Sequence, residues 1–343
     1  MGYRRFNQAQ SGSLARLSRR QLMFAGASAI PALMISREAV GHDSFPVTIE
    51  HAFGSTTIAH EPQRIVTLGW SGEDAVIALG KVPIAMTGYP YWPDGIADWN
   101  KNRMGSENPV LLRHAIDYEQ IALLRPDLIL AVFSGLDAIA YKRLSRIAPV
   151  VSWMKGPWSS NWQEQTQVTG RALGRTTESS KVIRSVENLV GDFKNTFPEI
   201  RGKTFALISH FPQQNGCDVY LPGDTRFEMF RALGLRPSPG IARIGNAKGG
   251  FYSQSISLEQ LDILDCDILI AWFAEGIEAA CKSQPILNTI LSIQRGTCVS
   301  LEKPETIWAV LTPTVLSIPF GYPEIVRDIS RAATRLAALT EGR

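Results

Sequence analysis

The chain has 343 residues, of which 45% are hydrophobic and 20% charged, which is enough for about two domains with buried cores. This composition excludes a long disordered chain, and 28 Gly and 20 Pro are too few for a fibrous or low-complexity class. The formal charge of +3 comes from residues 1–40, which hold six arginines and one acid, while the remainder carries 29 basic and 31 acidic residues. Because that remainder is mildly acidic, no nucleic-acid partner is expected.

Residues 1–41 have the pattern of an export signal and are left out of the fold prediction. Arg19 and Arg20 precede an apolar stretch of small residues, 22–35, that is too short to span a bilayer. Paired arginines ahead of a weakly apolar stretch resemble a twin-arginine signal, and a general-secretion signal is the alternative. No cysteine stands directly after this stretch, where a lipid anchor would be attached. We therefore expect an exported protein of the periplasm or cell envelope without a lipid anchor.

The exported part begins with a predicted hairpin, in which residues 47–53 and 56–59 flank Gly54 and Ser55. Strand-like runs then alternate with helical patterns, which is typical of α/β units with largely parallel sheets. The elements predicted in this half are strands at 65–69, 82–87, 127–133 and 150–153 and helices at 72–80 and 160–173. Residues 88–116, rich in Pro, Gly, Trp and Asn, are predicted to form an irregular loop.

A long amphipathic helix is predicted between Thr176 and Phe197, where apolar residues recur at helical spacing and Pro198 ends the pattern. The α/β pattern then starts again. Its predicted elements are at 204–209, 224–234, 257–264, 267–273, 298–301 and 323–339. We therefore predict an export signal at 1–41, an N-terminal α/β lobe at 45–175, a bridging helix at 176–198 and a C-terminal α/β lobe at 199–340.

An internal repeat supports two similar lobes. Residues 117–131 read DYEQIALLRPDLILA and residues 257–271 read SLEQLDILDCDILIA, with an offset of 140 and a shared Glu-Gln pair. A fainter echo lies upstream in each half, at 72–80 and 226–234. The same two units thus occur in the same order on either side of the long helix, although helix–turn–strand units can also look alike by chance.

The sequence carries no enzyme signature. No phosphate-binding loop, nucleophile elbow, zinc-protease motif or dinucleotide-binding motif follows a strand. The five histidines are scattered, and none of the four cysteines forms a CxxC pair, so no metal site is predicted. In an exported protein the cysteines are either buried thiols or include one disulfide, for which Cys281 and Cys298 are the candidates.

Aromatic residues stand where predicted strands end, which is where open α/β sheets bind ligands. Two facing lobes would bring such positions to one cleft, suited to a bulky and partly aromatic ligand, and the arginine suits an anionic one. Core packing is the alternative for each aromatic residue, and a solvated helix start is the alternative for the arginine. The predicted ligand-binding residues are Trp70, Phe133, Trp158, Arg226, Tyr252 and Trp272.

These features together resemble the ABC-transporter substrate-binding proteins for ferric siderophores and cobalamin, and most of all their ferric-citrate-like members. The segments that carry the resemblance are VTIEHAFGSTTIAHEPQRIVTLGWSGEDAVIALG (47–80), EQIALLRPDLILAVFSGL (119–136), LSRIAPVV (144–151) and PWSSNWQEQTQVTGRALG (157–174). The resemblance implies two α/β lobes bridged by one long rigid helix, which open and close little. It also implies a monomer that holds a ferric siderophore in the cleft, with no cofactor and no protein ligand to the iron.

The resemblance further implies delivery to the permease subunits of an ABC transporter. Glu119 and Glu259 occupy equivalent positions of the repeat, and we expect one on each lobe to dock against arginines of the permease. Haem or cobalamin is the alternative ligand. A zinc or manganese binding protein would need His and carboxylates at the cleft, and a metallocluster enzyme would need cysteines in both halves, whereas the first half has none.

Overall fold

The computed structural model describes residues 44–113, 115–212, 214–247 and 253–341, without the side chains of 246 and 247. The predicted export signal, with Arg19 and Arg20, lies outside the described residues, as does Tyr252. The first elements are strands β1 (Val47–His51) and β2 (Gly54–Ile58), which pair antiparallel. His51 pairs with Gly54, so the hairpin turn lies at residues 52–53 and not at 54–55 as predicted.

The N-terminal lobe is built on a five-stranded, fully parallel sheet of order β5-β4-β3-β6-β7. Its strands are β3 (Ile65–Thr67), β4 (Ala85–Thr87), β5 (Val110–Leu112), β6 (Leu128–Ala131) and β7 (Val150–Ser152). Its helices are α1 (Gly72–Ala78), α2 (Asp98–Met104), α3 (Tyr118–Leu123), α4 (Ala138–Leu144) and α5 (Trp162–Ala172). All residues of β3, β4, β6 and β7 are buried, as expected for parallel strands covered on both faces.

Helix α6 (Thr176–Thr196) runs for 21 residues between the two sheets in the chain and matches the predicted bridging helix. Its buried side chains include Val186, Val190 and Phe193, which share one face. A short 3-10 turn, Pro198–Ile200, follows it.

The C-terminal lobe has a six-stranded mixed sheet of order β11-β9-β8-β12-β13, with β10 also paired to β8. Its strands are β8 (Thr204–His210), β9 (Gly216–Tyr220), β10 (Arg236–Pro237), β11 (Ser253–Ser257), β12 (Ile268–Phe273) and β13 (Cys298–Ser300). Strands β9 and β11 are antiparallel to their neighbours, whereas β8, β10, β12 and β13 pair in parallel. The helices are α7 (Thr225–Ala232), α8 (Pro239–Ala247), α9 (Ile277–Ser283), α10 (Leu291–Gln294), α11 (Pro304–Leu311) and α12 (Ser317–Glu341).

The sequence repeat is a repeat of structure. Strands β6 and β12, which end the two copies, each pair in parallel with the first strand of the large sheet in their lobe, β3 or β8. In the first copy the Asp127 carboxylate accepts backbone N–H groups of Gln63 and Arg64 at 2.8 Å. In the second copy Asp267 accepts the backbone N–H of Thr204 at 2.8 Å. The aspartate is therefore repeated because it fixes the same strand pairing in both lobes.

The two lobes share apolar packing. The largest cluster of buried apolar side chains contains the core of the C-terminal lobe together with residues of the N-terminal lobe, among them Tyr89, Trp92 and Trp99. The side chain of Val182, on α6, packs against this cluster and also against a second buried apolar cluster, in the N-terminal lobe, that includes Leu130 and Val151. The cluster thus continues from one lobe to the other beside the bridging helix.

One sequence interpretation changes: residues 88–116 were predicted to be irregular, but they contain helix α2 and strand β5. Of the two alternatives for the cysteines, the structure has four free thiols, of which Cys217 and Cys266 are buried. None of the helices in the described part of the chain combines the length and apolarity that a membrane span requires.

Candidate ligand site in the cleft

A cavity of about 450 Å³ opens at the carboxyl ends of the parallel strands of the N-terminal lobe. Leu68 and Gly69 follow β3, Thr87 ends β4, and Ser134 follows β6, so three neighbouring strands contribute to its floor. The other lining residues are Trp70, Arg113, Ile116, Gly135, Leu136, Asp137, Ala140 and Trp158. This is the edge at which parallel α/β sheets bind ligands.

Trp70 and Trp158 form the aromatic wall of the cavity. Their ring centroids are 5.3 Å apart at an interplanar angle of 49°. Trp158 has a left-handed backbone (φ 59°), and its N–H donates to the carbonyl of Ser134 at 3.2 Å. A Cβ at Gly135 would lie 3.1 Å from the indole Nε1 of Trp158, so glycine allows the ring to lie against the backbone there.

Two further aromatic residues support this wall from behind. Phe133 is buried, and its ring meets Trp158 edge-on at 5.4 Å. Trp308, on α11 of the C-terminal lobe, meets Trp70 edge-on at 5.4 Å. Phe133 therefore lies behind the wall, and it is not among the residues that line the cavity.

Arg113 is the cation of the cavity, and the sequence prediction missed it. It is exposed and, within the described part of the chain, makes no ion pair, so its guanidinium is available to an anion. Asp137 also lines the cavity, but its carboxylate caps α4 by accepting the Ala140 N–H at 2.7 Å. Arg113 follows β5 as Trp70 follows β3. The same strand-end rule would have found it if β5 had been recognised.

Arg226 is held by its own neighbours. Its guanidinium donates two hydrogen bonds to the Asp224 carboxylate, at 2.7 and 2.6 Å, and lies 4.3 Å above the Tyr220 ring. The Arg226 side chain is 17% exposed and that of Asp224 only 2%. Burial disfavours the charge, but the hydrogen bonds to Asp224 outweigh it and raise the pKa of Arg226 above its usual value. Most of its bonding capacity is therefore used within the lobe.

Trp272, near the end of β12, is partly buried in the core of the C-terminal lobe, and its ring meets Phe211 edge-on at 5.0 Å. Neither Trp272 nor Arg226 lines the cavity described above. Side chains of both lobes do meet at a second cavity of about 400 Å³. The first turn of α5 contributes Trp162 and Glu164 to it, and the first turn of α7 contributes Thr225 and Glu228.

Glu119 and Glu259 lie at matching places. Each is the second residue of its helical segment, α3 in one lobe and the 3-10 segment Leu258–Leu264 in the other, and each is exposed. Both segments are capped: Asp117 accepts the Gln120 N–H at 2.9 Å, and Ser257 forms a capping box with Gln260. Neither glutamate takes part in these caps, and both are exposed.

Among the described residues, no three His, Cys, Asp or Glu side chains come together in a way that could hold a metal ion. The buried His210 uses Nδ1 for a 2.8 Å hydrogen bond with the carbonyl of Gly216. The charged and aromatic residues that line the cavity at the strand ends are Trp70, Trp158, Arg113 and Asp137.

Comparison with known proteins agrees with this architecture. The sequence profile of a family described as periplasmic binding protein matches residues 65–277. The chain is 27% identical over 228 residues to the probable siderophore-binding lipoprotein YfiY of Bacillus subtilis (strain 168), covering 65% of this chain and 67% of that protein. It is also 27% identical over 258 residues to the Fe(3+)-citrate-binding protein YfmC of the same organism, covering 71% and 74%.

A solved structure shows the same fold. PiaA of Streptococcus pneumoniae TIGR4, crystallised in complex with ferrichrome, superimposes with a TM-score of 0.75 at 24% identity. The superposition covers 84% of this chain and 99% of that one, so the two lobes and the helix between them are common to both.

Proposed function

Because the chain belongs to the family of periplasmic binding proteins, we propose that it captures a ferric siderophore in the cleft and delivers it to an ABC-type permease for iron uptake. The family consists of substrate-binding proteins and not of enzymes. The observation that carries the proposal is the cavity of about 450 Å³ with Trp70, Trp158 and Arg113 on its wall.

The chemistry of this wall suits a metal chelate and not a bare ion. Indole rings bury and stack on flat or apolar parts of a ligand, and a guanidinium binds oxygen-rich anions. The iron stays inside the chelate, and the protein recognises the outer surface of the complex. The names of YfiY and YfmC, a siderophore-binding and a ferric-citrate-binding protein, support a ligand of this class.

We infer that Glu119 and Glu259 are the two contacts with the permease. Both are exposed, both follow a capped helix start, and the repeat places one on each lobe. A matched pair of carboxylates can form charge-assisted hydrogen bonds with arginines on two permease subunits whatever ligand is bound. The docking pair is thus separate from the cavity residues and can be tested apart from them.

Residues 1–41 are proposed to direct export through the twin-arginine route, and the exported protein is proposed to act as a monomer. Changing Arg19 and Arg20 to Lys should abolish export, measured by fractionating cells that express the full chain. Normal export of that double variant would favour the general-secretion route.

The ligand is tested by quenching of tryptophan fluorescence with a panel of ferric citrate, a ferric hydroxamate, a ferric catecholate, haem and cobalamin. We expect a dissociation constant of about micromolar or tighter for one of the three ferric siderophores. Tight binding of haem or cobalamin alone would replace the siderophore as the ligand, and binding of none would refute the proposal.

A further inference from the structure

The segment from Trp308 to Thr314 of the C-terminal lobe lies against the start of α1 in the N-terminal lobe, directly beside Trp70. Thr314 donates its hydroxyl proton to Oδ2 of Asp74 at 2.5 Å. The hydroxyl groups of Ser71 and Thr312 are 2.8 Å apart and also hydrogen-bonded. Both bonds are buried and join residues 240 and 241 positions apart in the sequence. We call Ser71, Asp74, Thr312 and Thr314 the interlobe clasp.

Asp74 is the centre of the clasp. It is 0% exposed, and its carboxylate accepts from Trp99 Nε1 at 2.9 Å and from Asn100 Nδ2 at 2.7 Å, in addition to Thr314. All three partners donate, so the site is arranged for a carboxylate that carries no proton. Two of the hydrogen bonds hold Asp74 in its own lobe, and the third reaches the other lobe.

Thr314 is the hydrogen-bond donor in its contact with Asp74. Its Oγ1 already accepts the backbone N–H groups of Leu316 and Ser317, at 3.2 and 3.0 Å, so its own proton is what it offers to Asp74. A hydrogen bond to an ionised carboxylate is stronger than one to a neutral carboxylic acid. The interlobe hydrogen bond is therefore strongest when Asp74 is ionised, and protonation of Asp74 weakens it.

The groups that face Asp74 leave the clasp sensitive to mildly acidic pH. Burial raises the pKa of Asp74 to about 6, although its three hydrogen bonds act in the opposite direction. The neighbouring Glu73 is also buried, and burial together with the charge of Asp74 raises its pKa well above the usual range. Tyr89 is neutral at these pH values, since burial raises its pKa. The contacts from α2 and the C-terminal lobe are uncharged: Trp99, Asn100 and Thr314.

The clasp encloses a contact that shapes the ligand cavity. Trp308 packs on Trp70 at 5.4 Å and on Tyr89 at 5.1 Å, and Trp70 is the residue before Ser71. Thr312 donates to the carbonyl of Trp308 at 3.0 Å, so the clasp holds both sides of this contact. We propose that Asp74 and Thr314 are positioning residues for ligand binding: by joining the lobes they hold Trp70 against Trp308 in the orientation that forms the cavity wall. This inference rests on the proposed function for its effect on affinity.

The test compares Asp74→Asn and Thr314→Val with Asp267→Asn, a control that alters a strand-pairing carboxylate within one lobe. The probes are the ferric citrate, hydroxamate and catecholate complexes of the panel. Each clasp variant should bind the preferred complex about tenfold more weakly at pH 7.5, since each loses a hydrogen bond to a charged group. The double variant should bind no more weakly than either single one, and the control should bind like wild type.

The pH profile distinguishes positioning from a general loss of structure. Between pH 7.5 and pH 5 the affinity of the wild type should fall about tenfold more than that of Asp74→Asn, which has no proton to gain. Equal pH profiles, or unchanged affinity in both clasp variants, would overturn the inference. If Asp74→Asn does not fold, Thr314→Val is the test: about tenfold weaker binding supports the inference, and wild-type affinity overturns it.

A ligand-free measurement separates this inference from the proposed function. In the near-ultraviolet circular dichroism spectrum, the clasp variants should shift toward the spectrum of Trp308→Leu, whereas Asp267→Asn should match the wild type. If the wild type binds none of the ferric complexes, the proposed function fails, and an unshifted spectrum in the clasp variants would overturn the clasp as well.

Discussion

In the N-terminal lobe the strand ends leave Trp70 and Trp158 on an open cavity, whereas in the C-terminal lobe Trp272 packs on Phe211 and Arg226 pairs with Asp224. Both lobes nevertheless contain the same helix–turn–strand unit. The two sheets differ on one side of their first strand. The N-terminal lobe has the parallel strands β4 and β5 there, whereas the C-terminal lobe has the antiparallel strands β9 and β11. Tyr220, at the end of β9, is what covers Arg226.

The fold fixes one part of the repeated lobe and leaves another part free to vary. The framework is repeated, because Asp127 and Asp267 fasten the same strand pair in each lobe. The side chains at the strand ends are not repeated, since nothing in the sheet requires them to match. The candidate ligand wall therefore belongs mainly to the N-terminal lobe.

The surroundings of the two proposed docking residues also differ. Leu123, one helical turn after Glu119, is 82% exposed, whereas Ile263, at the matching position after Glu259, is half-buried and packs on the core. The two glutamates therefore match, whereas the apolar side chains beside them do not.

The strongest change is expected for the two proposed docking residues. Glu119→Ala combined with Glu259→Ala should abolish uptake of radiolabelled iron in cells, because the double variant lacks both of the charge-assisted contacts proposed with the permease. Siderophore affinity and melting temperature should stay close to wild type, since both carboxylates are exposed and the helix starts are capped by other residues. The matched control is Glu107→Ala with Glu278→Ala, one exposed glutamate from each lobe. Normal uptake by Glu119→Ala with Glu259→Ala would mean that the two glutamates only stabilise their helices.

The next effect contrasts the tryptophans of the two lobes. Trp158→Ala should weaken siderophore binding by about 30-fold, the usual loss when one desolvated tryptophan is removed from a binding site. Trp272→Ala should weaken it less than threefold and mainly lower stability, because the ring packs on Phe211 and not on the cavity. Fluorescence titration of both variants measures the difference. Equal losses would mean that the ligand reaches the C-terminal lobe as far as Trp272.

The arginines provide a smaller contrast. Arg113→Gln should reduce the affinity for an anionic ferric siderophore about tenfold, because its guanidinium lines the cavity without an ion-pair partner among the described residues. Arg226→Gln should instead lower the free energy of unfolding by about 2 kcal/mol, because it leaves the buried Asp224 carboxylate without its partner. Isothermal titration and urea unfolding of both variants separate the two roles. A loss of affinity confined to Arg226→Gln would reverse the assignment.

The main strands and helices could be predicted from the sequence, but the contacts of individual side chains could not. The strands β3, β6 and β12 were predictable because short, mostly apolar runs between turn signals are typical of buried strands, and α6 because its apolar face recurs at helical spacing. Helix α2 was missed because it follows a segment rich in Pro and Gly and is fixed by a distant partner. Its Trp99 and Asn100 both donate to Asp74 on α1.

The candidate site was also only partly predictable from the sequence. The rule that ligands bind at strand ends found Trp70 and Trp158 but not Arg113, because β5 was read as part of a loop. The same rule also selected Arg226 and Trp272. It cannot show that Asp224 and Phe211 cover them, because such contacts arise only when the chain folds.

The weakest effect is expected for movement of the lobes when the ligand binds. This movement should be close to zero. A continuous helix of 21 residues has no loop in which large changes of φ and ψ could be absorbed, and one apolar cluster extends across both lobes beside it. The radius of gyration from small-angle scattering should therefore change little when a saturating ferric siderophore is added. Gly191, the only glycine of α6, has open space where a Cβ would lie, so Gly191→Ala should leave that result and the affinity unchanged. A clear compaction of the wild type that Gly191→Ala reduces would show that α6 bends at its glycine, and it would contradict a rigid bridge.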